Sequence, residues 1–119
     1  MKSKPNKPAK KRYCIIAKAF DKKGTLLAVG TNSYTKTHPL MLHFGKIAGL
    51  PEKTYVHAEV QVLIRSRDKQ VYRLLVERYE SDGTPALAKP CKVCQEALKA
   101  YGVTVVEYTT ESGIVRENV

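Results

Sequence analysis

The sequence contains no long apolar run. No segment of the 119-residue chain approaches the roughly 20 consecutive apolar residues that a membrane-spanning helix needs, so we expect no membrane span. The basic start, "MKSKPNKPAKKR", is followed by "YCIIAKAFDKKG", which is too short and too interrupted to be the hydrophobic region of a signal peptide. With 43% hydrophobic and 27% charged residues, the composition is that of a soluble globular protein, and we expect a cytoplasmic one.

The sequence contains few cysteines, and their number, three, is odd. The three cysteines are Cys14, Cys91 and Cys94, and Cys14 falls in a predicted strand far along the chain from the other two. In a reducing compartment, this number and spacing argue against a framework of disulfides. The pair in "PCKVC" therefore calls for another explanation.

Acidic residues are missing from the first twelve positions. Residues 1–12 carry six of the 21 Lys and Arg residues and no acid, whereas the chain from Tyr13 onward has 15 basic and 11 acidic residues, a net charge of +4. The excess charge therefore lies in a proline-punctuated arm that we expect to be disordered. Such an arm suits either contact with single-stranded nucleic acid or a solubilising role. Residues 13–119 are expected to form a single domain.

The sequence has no internal repeat, and its elements follow the order β-β-α-β-α-β. "RYCIIAKAF" and "TLLAVGTNSY" are β-rich runs joined by "DKKG", which predicts a hairpin with Gly24 in the turn. The long connection 35–56 contains "PLMLHFGKIAG", a candidate short helix.

Two helices alternate with two buried strands in the second half of the chain. "HAEVQVLIRSR" predicts a helix of about eleven residues, and "VYRLLVERY" predicts a central strand. "PCKVCQEALKAYG" begins with Pro90 and ends with Gly102, which punctuates an amphipathic helix, and "VTVVEYTT" predicts another buried strand. The last run, "ESGIVRENV", gives no firm signal.

This order predicts that the starts of the two helices meet. Strand-helix-strand units form parallel strands through right-handed crossovers. If both crossovers step in the same direction, the N-termini of both helices lie at the carboxyl edge of the strands, where open α/β sheets bind ligands. His57 heads the first helix, and Cys91 and Cys94 head the second. The three side chains are therefore expected to become neighbours.

These three residue types suit a zinc ion. Two cysteines at i and i+3 occupy one helical turn, the helix dipole favours their thiolates, and one imidazole completes a set of three ligands. Three protein ligands leave a position open for water, which is typical of a catalytic zinc. Glu59 lies two residues after His57, so the two do not share a helix face. Glu59 is thereby predicted to serve the water as general base and then acid, without binding the metal.

The motifs "HAE" and "PCKVC" together resemble the zinc-dependent cytidine and deoxycytidylate deaminase superfamily, whose signature is H-x-E with P-C-x-x-C. The resemblance runs from about Tyr13 to Thr110. It implies a three-layer cytidine-deaminase-like α/β fold, with a mixed sheet, an N-terminal β-hairpin and two β-α-β crossovers. It also implies hydrolytic deamination of cytosine, with the backbone N–H of Ala58 orienting the base. "GTNSY" resembles the segment whose asparagine, here Asn32, contacts the substrate sugar.

The resemblance also implies which branches of the superfamily and which substrates to expect. A ligand set with histidine rather than a third cysteine is similar to that of the deoxycytidylate, tRNA-adenosine and polynucleotide branches of the superfamily. The runs "NSYTKTHPL" and "GLPEKTYVHAE" resemble small deaminase-like proteins of bacteriophages. The first expected substrate is a free deoxycytidine nucleotide such as dCMP, in nucleotide metabolism, and the alternative is a base in single-stranded DNA or RNA. A homo-oligomer is compatible with either. The superfamily usually has a helix before the first strand, and a helix and a strand after the fourth.

Other interpretations of the same residues stay open. Cys91 and Cys94 would also suit a redox pair or a structural zinc site, for which His38 or His43 would supply a fourth ligand. A zinc-stabilised, non-catalytic nucleic-acid-binding module would need no role for Glu59. Three aromatic residues are expected to pack in the core rather than stack on a base. They are Tyr34, Phe44 and Tyr79.

Overall fold

The computed structural model describes residues 14–52 and 55–119, so the predicted basic arm lies outside the described residues. Over these described ranges the fold is α/β, with a five-stranded mixed sheet and three helices, which is compatible with the predicted three-layer fold. Within the described residues, no helix has the length and apolar character needed to cross a membrane. The elements are β1 (Cys14–Phe20), β2 (Leu26–Thr31), α1 (Pro39–Ile47), α2 (Ala58–Ser66), β3 (Arg73–Tyr79), α3 (Lys92–Ala100), β4 (Val105–Thr110) and β5 (Gly113–Asn118).

The predicted hairpin is confirmed, since β1 and β2 pair antiparallel. The carboxylate of Asp21 accepts hydrogen bonds from the backbone N–H groups of Lys23 and Thr25 at 3.0 and 2.9 Å. Gly24 takes a φ of +87°, a left-handed conformation that glycine adopts without steric cost. Strand β2 ends at Thr31, three residues before the end of the predicted run.

The strands lie in the order β2-β1-β3-β4-β5. Strand β1 is antiparallel to both of its neighbours, β2 and β3, whereas β3 and β4 are parallel. Strands β2, β3 and β4 therefore run in the same direction. The chain steps from β2 past β1 to β3 through α2, and then from β3 to β4 through α3, so both crossovers move the same way along the sheet.

The final strand corrects the sequence-based expectation. Residues 113–118, which carried no firm signal, form β5 and pair antiparallel with β4. The hydroxyl of Tyr108 donates to Glu117 at 2.6 Å across this hairpin. The superfamily pattern implied a helix between the fourth strand and the next, but in the described part of the chain β5 follows β4 directly through a short turn. Strand β5 is an edge strand and mostly exposed, so its sequence lacks the apolar alternation that marks a half-buried strand.

The backbone of helix α2 packs directly against the backbone of the sheet at Gly30. A Cβ atom added to Gly30 of β2 would lie 2.7 Å from the carbonyl oxygen of Ala58 and 2.8 Å from the amide nitrogen of Val62. Ala17 of β1, which pairs with Gly30, is fully buried on the same face. Small residues on β1 and β2 thus allow the start of α2 to approach the sheet closely. With its caps His57 and Arg67, this nine-residue helix fills the eleven-residue run predicted to be helical.

Helix α1 confirms the candidate helix in the long connection. His38 is its N-cap, and the Nδ1 atom of His38 accepts a hydrogen bond from the backbone N–H of Leu40 at 3.0 Å. Met41 and Phe44 are buried, and the ring of Phe44 faces that of Tyr101 at the end of α3 with 6.3 Å between centroids. Helix α1 therefore covers α3 and extends the core beyond the sheet.

We expect Gly30→Ala to lower the free energy of unfolding by about 3 kcal/mol, because the new methyl group meets the backbone of α2 rather than a side chain that can turn away. Urea denaturation measures the effect. The neighbouring Thr31→Ala is the matched control, and since Thr31 is exposed its effect should stay within about 0.5 kcal/mol. Equal stability of Gly30→Ala and the unmodified chain would contradict the close approach.

Candidate metal centre

The N-caps of α2 and α3 carry the two residues that begin the site. His57 is the N-cap of α2 and Cys91 is the N-cap of α3, and both have extended backbones, with ψ of 157° and 171°. Neither side chain makes a capping hydrogen bond to its own helix. Both helices begin where β2 and β3 end, so the two crossovers bring residues 34 positions apart to one edge of the sheet.

Three potential ligand atoms converge at this edge. The Sγ atoms of Cys91 and Cys94 lie 3.4 and 3.3 Å from Nδ1 of His57, and the ligand atoms of all three residues lie within 4.8 Å of one another. A tetrahedral ion with bonds of roughly 2.0 Å to nitrogen and 2.3 Å to sulfur would place such atoms roughly 3.5–3.8 Å apart. The described residues therefore hold a group that fits one metal ion, and the predicted convergence is confirmed.

Histidines 38 and 43 lie outside this group. His38 caps α1, and the ring of His43 packs edge-on against Phe44 with 4.9 Å between centroids. Among the described residues, the metal-ligating group thus consists of one histidine and two cysteines. Such a set leaves room for a further, non-protein ligand. The structure shows all three cysteines as free thiols, so no disulfide joins Cys91 to Cys94.

The two thiols have opposite protonation preferences. A hydrogen bond from Cys94, supported by one from His57 and opposed by burial, lowers the pKa of Cys91 to about 4. The same hydrogen bond to Cys91, together with burial, raises the pKa of Cys94 well above its usual value. The hydrogen bond between the two side chains therefore favours the thiolate form of Cys91 and the thiol form of Cys94. A cation placed between them would favour the thiolate form of both.

Glu59 is buried beside the ligands. It is the second residue of α2 and only 5% exposed. Burial raises the pKa of its carboxyl group, while its own backbone N–H and the nearby His57 act in the opposite direction. The carboxyl group also hydrogen-bonds the side chain of Cys94. A carboxyl group with a raised pKa at the wall of a cavity is suited to exchanging protons near neutral pH.

An open cavity of about 500 Å³ lies over His57, Glu59 and Cys91. Its other lining residues come from the ends of β1, β2 and β3 and from the loops around them. They are Ile15, Asn32, Ser33, Tyr34, Glu52, Tyr55, Arg78, Leu87, Ala88 and Lys89. This volume accommodates a small polar molecule rather than a single water.

Asn32 lines the cavity, whereas Ala58 does not. The side-chain oxygen of Asn32 accepts a hydrogen bond from the backbone N–H of Ile15 at 3.0 Å, which fixes Asn32 at the end of the hairpin. Ala58 is fully buried between His57 and Glu59, below the cavity wall. Their predicted roles toward a sugar and a base remain predictions.

Arg78 is a cavity residue that the motif analysis missed. It pairs with Ile15 near the carboxyl end of β3, on the same sheet face as Val76, and its Nη1 atom donates to the carbonyl oxygen of Leu87 at 3.2 Å. It thereby holds the loop that leads to Cys91. The available signal was its place at the end of a buried strand, at the edge where ligands bind. Lys89 and Tyr55 carried no such signal.

The three aromatic residues that were expected in the core differ in their exposure to solvent. Phe44 is buried at 4% exposure, which confirms the expectation for that residue. Tyr34 is 40% exposed and lines the cavity, so the prediction of core packing is wrong there. Tyr79 is 39% exposed, and its hydroxyl donates to Glu77 at 2.8 Å. The β-rich context of Tyr34 suggested burial, but β2 ends before it.

We expect Cys94→Ser to weaken zinc binding by more than about 100-fold, because changes to groups outside a metal's ligand shell already cost 10- to 100-fold. The purified variant should contain no stoichiometric zinc by elemental analysis and should melt at a lower temperature, since metal binding and folding are coupled. Cys14→Ser is the matched control, because Cys14 is exposed and belongs to a different part of the sheet. Equal metal content in both variants would contradict the site.

Comparison with known proteins assigns the chain to no family. No protein-family model matches the chain, and no curated protein matches it.

Proposed function

We propose that this protein is a zinc-dependent hydrolase that deaminates a cytosine base. The observation that carries the proposal is the placement of a buried carboxyl group, Glu59, beside a group of one histidine and two cysteines at the wall of an open cavity. A structural zinc site or a redox pair would need the sulfur atoms but not this carboxyl group. The resemblance of "HAE" and "PCKVC" to the deaminase signature supports the same reaction.

The donor set fits zinc. Two sulfur atoms and one imidazole nitrogen are soft to borderline ligands, and three of them leave a position for water or substrate. His57, Cys91 and Cys94 would hold the ion, which when bound supplies a Lewis acid that makes water a nucleophile near neutral pH. The helix N-termini behind His57 and Cys91 contribute partial positive charge that stabilises the thiolates.

Glu59 carries the proton transfers in this mechanism. The carboxylate accepts a proton from the attacking water, whose oxygen adds to C4 of the cytosine ring. Glu59 passes that proton to the ring nitrogen N3. It then takes the proton of the new hydroxyl group on C4 and delivers it to the exocyclic amine, so that the C4–N bond breaks, ammonia leaves, and the C4 carbonyl of uracil forms. Burial raises the pKa of the carboxyl group, which favours its return of the proton to the substrate.

The ends of β2 and β3 supply the binding groups. Asn32 is held in the cavity by a hydrogen bond from the backbone N–H of Ile15 and is assigned to the sugar. Arg78 and Lys89 add two cations to the cavity wall, which favours a phosphorylated substrate over a nucleoside. We therefore propose a deoxycytidine nucleotide such as dCMP as a substrate.

We expect Glu59→Gln to lower kcat for dCMP by at least about 100-fold, because the amide cannot take up the proton of the attacking water. Zinc content should stay at one ion per chain, since Glu59 is not a member of the metal-ligating group. Ammonia release and elemental analysis on the same sample measure the two quantities. Glu96→Gln is the control, because Glu96 lies on α3 outside the cavity and contacts Lys99. Full activity of Glu59→Gln would refute the mechanism.

We expect Asn32→Asp to raise KM for dCMP by about tenfold with less effect on kcat, which corresponds to one lost hydrogen bond of roughly 1.4 kcal/mol. Aspartate keeps an oxygen that can accept from Ile15, so the hairpin stays anchored, while the amide donor is lost and a negative charge is gained. Asn32→Ala removes both groups and should also reduce thermal stability. Steady-state kinetics with both variants separates substrate contact from support of the fold, and an unchanged KM in Asn32→Asp would exclude the contact.

A further inference from the structure

We propose that the mouth of the cavity binds a second nucleotide, so that the preferred substrate is a cytosine within single-stranded nucleic acid. This inference rests on the proposed function and narrows its substrate. Tyr55 and Tyr34 would supply stacking surfaces for a base next to the target cytosine. A free nucleotide has no such neighbour and uses only the floor of the cavity.

The mouth carries three exposed apolar side chains at one rim. Tyr34, Tyr55 and Leu87 line the cavity and are 40%, 51% and 57% exposed. Single exposed apolar residues are ordinary on a protein surface. Three of them around the opening of one polar site form a surface that can accept the face of a ligand. The two tyrosines suit a nucleobase because every base has a π-face on which an aromatic ring can stack.

The backbone holds the tyrosines in place. Ser33 donates a hydrogen bond to the carbonyl oxygen of Val56 at 2.9 Å, and Val56 donates to that of Lys36 at 2.9 Å. A bridge between Thr37 and Tyr55 extends this antiparallel contact. The segments that carry Tyr34 and Tyr55 are therefore joined to each other at the rim. A base that stacks there need not order a loose loop first, so little affinity is lost.

Charge near the rim is complementary to a phosphate backbone. Arg78 and Lys89 line the cavity, and Lys36 and Lys92 are exposed on the segments beside it. The carboxylate of Glu52 also lines the cavity, and the Nζ atom of Lys89 lies 3.7 Å from a carboxylate oxygen of Glu117. Four cations against two carboxylates, Glu52 and Glu117, leave an excess of positive charge that suits a phosphate backbone.

A binding experiment tests the stacking surface without turnover. The probe is a short single strand with one cytosine next to 2-aminopurine, whose fluorescence is quenched by stacking. It is titrated into the zinc-loaded Glu59→Gln protein, once as DNA and once as RNA. We expect quenching on binding. Adding Tyr55→Ala should weaken binding about tenfold and abolish the quenching, whereas Tyr55→Phe keeps the ring and should retain both.

Tyr79→Ala is the matched control for this titration. Tyr79 has nearly the same exposure as Tyr34, but it pairs with Cys14 on the sheet face opposite to Arg78. This variant should bind the probe like the parent. Unchanged binding and quenching in Tyr55→Ala and in Tyr34→Ala would overturn the proposal. A loss that is as large in Tyr79→Ala would also overturn it, because it would reflect general destabilisation.

Turnover separates this inference from the proposed function. With Glu59 intact, we expect kcat/KM for cytosine in the strand to exceed that for dCMP at least tenfold, and Tyr55→Ala to remove the excess. If dCMP is deaminated and the strand is not preferred, the proposed function stands and this inference falls. If neither is deaminated, the proposed function falls, and a Tyr55-dependent quenching still supports the binding surface. The DNA and RNA arms identify which strand is preferred.

Discussion

Because Gly30 has no side chain, the backbone of α2 packs directly against the backbone of β2, and the position of His57 depends on that contact. The carbonyl group of Ala58 and the amide of Val62 occupy the space that any side chain at position 30 would fill. Because Ala58 directly follows His57, a shift of α2 away from the sheet would move the imidazole away from the two sulfur atoms. Distances of 3.3 and 3.4 Å leave little tolerance for such a shift. The packing of one helix on one strand thus sets the geometry of the site.

The same site concentrates polar groups that would be unfavourable in a core without a cation. Glu59 and Cys94 are buried, and Glu59 lines the cavity together with Cys91. Burial raises the pKa of Glu59, and a hydrogen bond with Cys91 together with burial raises the pKa of Cys94, whereas the same hydrogen bond lowers the pKa of Cys91. A bound divalent cation would favour the charged forms and repay their desolvation. Stability and metal binding are therefore expected to be coupled in this fold.

Local signals were sufficient for the parts of the chain whose structure depends on neighbours in sequence. Gly24 and Asp21 close the hairpin, and Pro90 and Gly102 bracket α3, as their positions predicted. Strand β5 was missed because an edge strand that is exposed along most of its length has no apolar alternation to read. The rim residues were missed, or in the case of Tyr34 placed wrongly, because nothing near them in sequence specifies whether they face a core or a cavity.

By itself, the sequence determined the donor set and where it would stand: His57 at the start of one helix, Cys91 and Cys94 at the start of the next, and Glu59 offset from the histidine. These follow from residue type and helix punctuation, which are local properties. The tertiary structure decided that the ligand atoms of His57, Cys91 and Cys94 lie within 4.8 Å of one another. It also decided that Arg78, Lys89 and Tyr55 line one cavity together with His57, Glu59 and Cys91. Those contacts depend on strand order and on the approach of α2 to Gly30, which arise from packing between distant residues and therefore leave no mark in a short stretch of sequence.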